Sequence, residues 1–404
     1  MRIDYRKLRG ECQRHGPDHI TEQVKTCLAE KVFKPEDFSF KELAEEFLGH
    51  AYVRSCDPRR GDARPLREAS DAVDVTAFSN ITGQLLVNSV LQGFENAPKV
   101  ASTLVSTIPT RLNGEKVPGV ERITDEVDEI SPGMPYPNYG FGETYINTPD
   151  TAKRGLKCSV TKEAIYFDLT GQVLTRAGEV GQVLATRKEK RVMDMIIGYG
   201  GGATPTFAGG GLWRYKGTDY DVYNATAVDF ATYWYLNQHT AVLTDYTDID
   251  EAELLFSMMQ QPDTREPVEI MGTRTLLVPP ALRVTANRII NTTEIHEGDS
   301  DVRIGVTGNP ISDLGIRPVS SAYMYRRLID GGEVSAANAK KHWLYGDFAK
   351  AFAYMENWPI TVVQSPPNSY VEFNQDIVIE VKASERGACA VINPYYVTRS
   401  TGAG

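Results

Sequence analysis

Residues 117–167 cannot bury a core of their own, and this limits what the rest of the chain can become. The segment leaves through Val120, Ile123, Val127 and Ile130, reaches a tip over 131–150, and returns through Leu156, Cys158 and Val160. Pro132, Pro135, Pro137 and Pro149 stand in the tip with Gly133, Gly140 and Gly142, a composition that specifies turns and opposes both helix and central strand. Among these breakers lie Tyr136, Tyr139, Phe141 and Tyr145. Four such rings are costly to leave in water and have little nearby chain to pack against, so an external surface is expected to cover them. The outgoing apolar residues recur at helical spacing, whereas Leu156, Cys158 and Val160 alternate with Lys157, Ser159 and Thr161. The pair is read as a protruding hairpin.

The arm runs directly into an amphipathic stretch. Asp168 offers a cap, and Val173, Leu174, Ala177, Val180, Leu184, Val192, Met193 and Ile196 recur every three or four residues up to Ile197. A helix of roughly thirty residues would be about 45 Å long. Its middle carries a basic band of Arg187, Lys188, Lys190 and Arg191. Seven glycines follow within 198–211, but this run comes after a helix and lacks the Gly-Lys-Ser/Thr ending of a phosphate loop.

Before the arm, residues 1–75 are dense in charge and poor in large apolar side chains. One helix is expected over 38–52, where Ser39 can cap, Glu42 follows three residues later, and Leu43, Phe47 and Leu48 share a face. Five arginines against two aspartates make 54–67 locally basic and read as a flexible arm or linker. The spacing of Leu85, Leu86, Val90 and Leu91 predicts a further helix within 77–105. After the glycine run, 251–260 reads as helix, 275–278 as a buried strand, and 280–290 as a helix opened by Pro280. Residues 376–382 alternate as a strand with Ile377, Ile379 and Val381 on one side. Strands and helices are not in βαβ rotation, so the expected class is α+β.

The chemistry-bearing residues are sparse. With 404 residues, of which 41% are hydrophobic and 24% charged, the chain can hold two or three cores. No run reaches the roughly twenty apolar residues of a membrane helix, and the polar segment 1–14 does not read as a signal peptide, so residence in a cytoplasm and no membrane partner are expected. The sequons at Asn80, Asn224 and Asn291 then lose their meaning, as does the tripeptide Arg60-Gly61-Asp62. Five cysteines, widely spaced and without a CxxC pair, read as structural thiols. Six histidines fall into no metal-ligand spacing, no GxSxG elbow is present, and Glu294, His296, Glu297, Asp299 and Asp301 read as a solvated loop. Neither a catalytic site, a metal nor a cofactor is expected. A net charge of -10 opposes free nucleic-acid binding, although a local basic surface can sit inside an acidic average.

Three segments carry a family resemblance. They are 271–290 (MGTRTLLVPPALRVTANRII), 346–352 (GDFAKAF) and 376–388 (DIVIEVKASERGA), and they follow the arm, the hairpin and the long helix in order. Over about 77–400 the chain resembles the major capsid proteins of tailed bacteriophages, which have the Hong Kong 97 fold. The resemblance implies an N-terminal arm at 1–100 and an E-loop at 117–167. It implies a peripheral domain of 101–116, 168–248 and 370–404 with a spine helix over about 168–197, and an axial domain of 249–369.

Also implied is a major head protein of a phage or prophage that self-assembles as pentamers and hexamers into an icosahedral shell around double-stranded DNA. Tyr136, Tyr139, Phe141 and Tyr145 would be intersubunit contacts. Arg187, Lys188, Lys190 and Arg191, or the segment 54–67, would face the DNA through nonspecific phosphate contacts. Portal protein, and scaffolding or decoration proteins, are the implied partners, and the virion is the implied location. Lys153 and Lys157 are the arm lysines that a covalent crosslink of the kind some members form would use. Two other readings stand beside this one: an encapsulin-type bacterial nanocompartment shell, and a soluble enzyme with a protruding hairpin.

Overall fold

In the computed structural model the described residues are 4–30, 32–50, 53, 72–120, 130, 143–161, 163–164, 172–198, 212–225, 235–260, 267, 273–299, 302–330, 334–365 and 377–402. They fall into two compact units, one of residues 1–98, 153–187 and 358–386, the other of 99–152, 188–357 and 387–404. The architecture is α+β, as expected.

The first unit is built on helices α1 (Tyr5–His15), α2 (Pro17–Ala29), α3 (Phe40–Phe47) and α4 (Ala72–Asn96). The Asp4 carboxylate accepts the Lys7 amide at the start of α1, and the Ser39 hydroxyl accepts the Glu42 amide at the start of α3, each satisfying a donor that the helix leaves open. Residues 1–75 therefore differ from the expectation of one helix without a core. Two further helices precede it, and Cys12, Ile20, Val24, Leu28, Phe40, Leu43 and Phe47 are all buried in one cluster with Phe78, Ile81 and Leu85 of α4. The basic run 54–67 lies outside the described residues.

The helix predicted over 77–105 is α4, followed after Pro98 by the short α5 (Ala101–Leu104). The long helix expected over about 168–197 is α6 (Gln172–Ile197), 26 residues and about 39 Å long; its expected cap, Asp168, lies outside the described residues. Leu174, Ala177 and Leu184 of α6 join the first unit's core. There α4 and α6 meet backbone to backbone: a Cβ on Gly93 would stand 2.0 Å from the Gly178 carbonyl oxygen, and one on Gly181 2.0 Å from that of Val90.

The arm is anchored differently from the expected hairpin. Outgoing β2 (Lys116–Val120) pairs antiparallel with β3 (Glu143–Asn147), Val117 opposite Ile146, and β3 pairs in turn with β5 (Leu212–Tyr215). β5 and β6 (Thr218–Asp221) close a hairpin through Lys216 and Gly217, both at positive φ, the turn that matches strand twist. Leu156, Cys158 and Val160 belong instead to β4 (Ala152–Thr161), whose neighbour is β14 (Ile377–Val391) in a sheet ordered β1 (Ser106–Pro109), β13 (Phe352–Gln364), β14, β4. The alternation read from the sequence is present in β4, but its pairing partner comes from the other end of the chain. Residues 121–129 and 131–142 lie outside the described residues.

The second unit centres on a five-stranded sheet ordered β11 (Arg317–Ser320), β8 (Thr275–Val278), β12 (Trp343–Gly346), β15 (Val397–Ser400) and β7 (Gln238–His239). The predicted buried strand 275–278 is β8, and its Leu276, Leu277 and Val278 are buried. Helix α7 (Tyr246–Met258) begins five residues before the predicted start and is capped by Asp245, whose carboxylate accepts the Tyr246 amide. Pro280 opens a short turn (Pro280–Leu282) before α8 (Arg283–Asn291). The acidic stretch expected as a loop is an antiparallel hairpin of β9 (Glu294–Asp299) and β10 (Val302–Gly308), because pairing with Val302–Gly308 satisfies its backbone; Asp301 itself lies outside the described residues. Helix α9 (Ala322–Asp330) follows β11.

Candidate assembly and inner-surface sites

Of the four arm aromatics, Tyr136, Tyr139 and Phe141 lie outside the described residues. Tyr145 is half-buried on β3, opposite Pro118, with the Lys116 ammonium 4.4 Å from its ring centroid and its carbonyl accepting the Lys216 amide at 3.1 Å. Its ring is thus already engaged at the base of the arm. Of the two arm lysines, Lys153 lies 5.7 Å from the Trp358 ring centroid and Lys157 pairs with Glu380 at 3.0 Å, both within the first unit.

The basic band on α6 resolves by helical phase. At 100° per residue, Arg187, Lys188, Lys190 and Arg191 spread over an arc of about 160°, with Glu189 on the opposite side. Glu189 is fully buried and its carboxylate accepts the amides of Val100 (2.7 Å), Ala101 and Ser102 (3.0 Å), and the Ser102 hydroxyl at 2.8 Å, which caps α5. Lys188 is half-buried, 3.4 Å from Glu356 and 4.0 Å from the Tyr354 ring centroid. Arg187 is exposed, while Lys190 and Arg191 are half-buried. The sequence does hold a signal for Glu189. The apolar stripe breaks between Leu184 and Val192, and Glu189 stands in phase with Ala185, Val192 and Ile196.

The end of α6 carries two further groups that sequence reasoning missed. Asp194 receives both the Nε and Nη2 of Arg327 on α9, at 2.6 and 2.7 Å. Burial pushes the Asp194 carboxyl up, against the pull of Arg327, while the carboxylate holds Arg327 still more firmly protonated; the bidentate geometry keeps both charged at neutral pH. The Arg399 Nη1 donates to the last α6 carbonyl, Ile197, at 2.9 Å, and its guanidinium lies 4.5 Å from the Tyr223 ring centroid. Beside it Asn237 is fully buried; its Nδ2 donates to the carbonyls of Val222, Pro394 and Val397, and its Oδ1 accepts the Asn224 amide. These contacts use charge to fix chain segments, and each is internal to the second unit.

Among the described residues no cluster of His, Cys, Asp and Glu could hold a metal, no helix is long and apolar enough to cross a membrane, and Cys12, Cys27, Cys158 and Cys389 are free thiols. Burial raises the Cys158 thiol above its ordinary range, which suits an inert packed group.

The phage capsid protein family matches residues 146–400, well over half of the chain, and defines its class as a structural component of the virion. The chain belongs to the phage capsid protein family. Among solved structures it is similar to the capsid of Cyanophage P-SCSP1u, at 16% identity over 75% of this chain and 88% of that one, with a TM-score of 0.42. It is similar to Mycobacterium phage Che8, at 14% over 76% and 93%, TM-score 0.42, and to the Cyanophage Pam1 capsid, at 10% over 74% and 89%, TM-score 0.44. No curated protein matches the sequence.

Proposed function

We propose that this capsid protein is a major head protein with the Hong Kong 97 fold, copies of which assemble as pentamers and hexamers into an icosahedral shell around double-stranded DNA. The family match over 146–400 carries this reading and favours a phage head over an encapsulin shell. The mechanism is mechanical rather than catalytic. Each copy lays the tip of its arm over a neighbour, covering Tyr136, Tyr139 and Phe141, while the β2–β3 pair holds the base of the arm on its own subunit. Many modest head-to-tail contacts then close the shell. DNA meets the inner face through nonspecific phosphate contacts, with Arg187, Lys190, Arg191 and the segment 54–67 as the proposed groups. Lys188 is the weaker candidate because Glu356 already neutralises it. Residues 249–369 are proposed as the axial domain. Assembly in the host cytoplasm, a portal protein at one vertex and scaffolding or decoration proteins belong to the same reading.

The test is electron microscopy of the purified chain beside a variant lacking 131–142. The full chain is expected to form closed particles, and the deletion to leave a folded subunit that forms none, since β2 and β3 remain to pair. A full chain that stays a compact monomer or small oligomer across concentration and salt overturns the reading.

A further inference from the structure

Two helices of the second unit present exposed faces of opposite charge, each with an apolar centre. On α7, Ile249, Ala252 and Phe256 point into the core, while Thr247, Asp250, Glu251, Leu254, Ser257 and Met258 form one exposed stripe. Leu254 is 60% and Met258 50% exposed. Every charged residue of α7 is acidic, and two of them have internal tasks: Asp248 accepts the Thr244 and Asp245 amides, and Glu253 receives the Tyr345 hydroxyl and pairs with Arg274 at 2.7 Å. Asp250 and Glu251 remain on the stripe beside the two apolar side chains.

Helix α8 is the converse. Its charged residues are Arg283 and Arg288, both exposed, and between them Val284 is the most exposed large hydrophobic side chain among the described residues, at 77%. The same edge opens into a groove of about 470 Å³ lined by Pro280, Arg283, Asn287, Pro318, Val319 and Ser320. Single exposed apolar residues are ordinary on a protein surface; a matched pair of apolar centres with opposite charged rims is not.

The two helices pack on different strands of the sheet. α7 packs on β15 and reaches β12 through Phe256 and Tyr345, whereas α8 packs on β8 and β11, at the other side of the sequence β11-β8-β12-β15-β7. One copy can therefore offer α7 to one neighbour and α8 to the next. A two-fold contact of α7 with α7 would oppose acid to acid, and one of α8 with α8 would oppose arginine to arginine. Only the head-to-tail pairing joins unlike charges, and head-to-tail contacts are the kind that close into rings.

We propose that the α7 stripe of one copy docks on the α8 edge of a second copy, with Leu254 and Met258 set against Val284 and the apolar part of the groove rim, Pro280, Pro318 and Val319, and Asp250 and Glu251 meeting Arg283 and Arg288. The proposal rests on the reading of the chain as a shell protein and names the surface that joins copies within a ring. A stable interface takes roughly 800 Å² per partner, more than one face of a two-turn or three-turn helix supplies, so the contact would set register and partner choice inside a wider one.

The test reverses charge on each face of the full-length chain: Asp250→Arg with Glu251→Arg, Arg283→Glu with Arg288→Glu, and all four together. Particle yield is read by sedimentation and negative stain, and subunit integrity by thermal melting. Each pair alone is expected to cut the yield of closed particles about tenfold or more at low salt, and the fourfold variant to recover most of it, because like charges repel where unlike ones joined. Leu254→Gln, at an exposed position, is expected to lower yield with an unchanged melt and keeps the test informative should a reversed chain melt early. Reversed pairs that assemble like the parent, or a fourfold variant no better than either pair, overturn the docking while the parent's particles leave the shell reading intact. A parent that forms no particles overturns the shell reading and this contact with it.

Discussion

His239 sits in the edge strand β7 with neither ring nitrogen hydrogen-bonded among the described residues, its ring set edge-on against Trp343 at 4.8 Å between centroids. Burial lowers its pKa to about 4, only partly opposed by Asp248 on α7. His342, whose Nδ1 meets the Asn338 carbonyl, is lowered as well, by burial and by Arg399. The unfolded chain therefore takes up protons that the fold refuses, beginning near pH 6.5. The stability His239 confers is complete above that pH and is lost as pH falls towards about 4. Between pH 7.5 and pH 5 its share of the loss is about 2 kcal/mol, from 1.36 kcal/mol per pH unit below 6.5. Urea unfolding at the two pH values is the measurement, and His239→Phe is expected to flatten the difference. An equally steep loss in the variant would place the acid sensitivity elsewhere. Nothing in the sequence around His239 announces this, since its burial comes from Trp343, 104 positions later in the chain.

At the scale of elements, the crossing of α4 and α6 shows two opposing effects of glycine. Replacing a mid-helix glycine by alanine favours the helix by about 1 kcal/mol. At Gly181 and Gly93, however, the new Cβ would meet a backbone carbonyl oxygen at 2.0 Å, and overpacking of that kind costs about 1–3 kcal/mol or more because neither helix backbone can yield locally. Gly178, on the same face, has its nearest contact at 3.4 Å, the Ser89 hydroxyl, which itself donates to the Leu174 carbonyl. Gly181→Ala and Gly93→Ala are expected to lower the urea midpoint and Gly178→Ala to hold or raise it. Equal effects at all three would mean that the helices do not touch at these glycines. The sequence shows the helices by their periodicity but not their contact. β4 makes the same point: its alternation was legible, yet its neighbour β14 lies more than two hundred residues on, and no local pattern can name a partner at that distance. Strand β8 was legible because the run Leu276, Leu277 and Val278 is apolar enough to declare burial unaided, and the start of β14 because Ile377, Ile379 and Val381 recur at every second position and are buried.

Across the whole molecule, the part the sequence hid best is the N-terminal contribution to the first unit. Its charge-rich average concealed a narrow stripe, Ile20, Val24 and Leu28, spaced by four residues and fully committed to packing. α1, α2 and α3 all pack on α4, so they cover Phe78, Ile81 and Leu85 rather than trailing from it. A separable arm could be removed without changing how the remainder melts. Here, deleting 1–49 would return several large side chains of α4 to water at about 1.5–3 kcal/mol each, a sum comparable with the 5–15 kcal/mol that holds a typical domain folded. The truncated chain is therefore expected to melt at a markedly lower temperature or to precipitate, and to bind a hydrophobic dye that the full chain excludes. The full chain offers a second readout, because Cys12 is buried on α1 and is expected to resist a thiol reagent until the first unit unfolds. A truncated protein that melts with the parent and excludes the dye would return residues 1–49 to the status of an arm, and would place the folding nucleus of the first unit on α4, α6 and the strands alone.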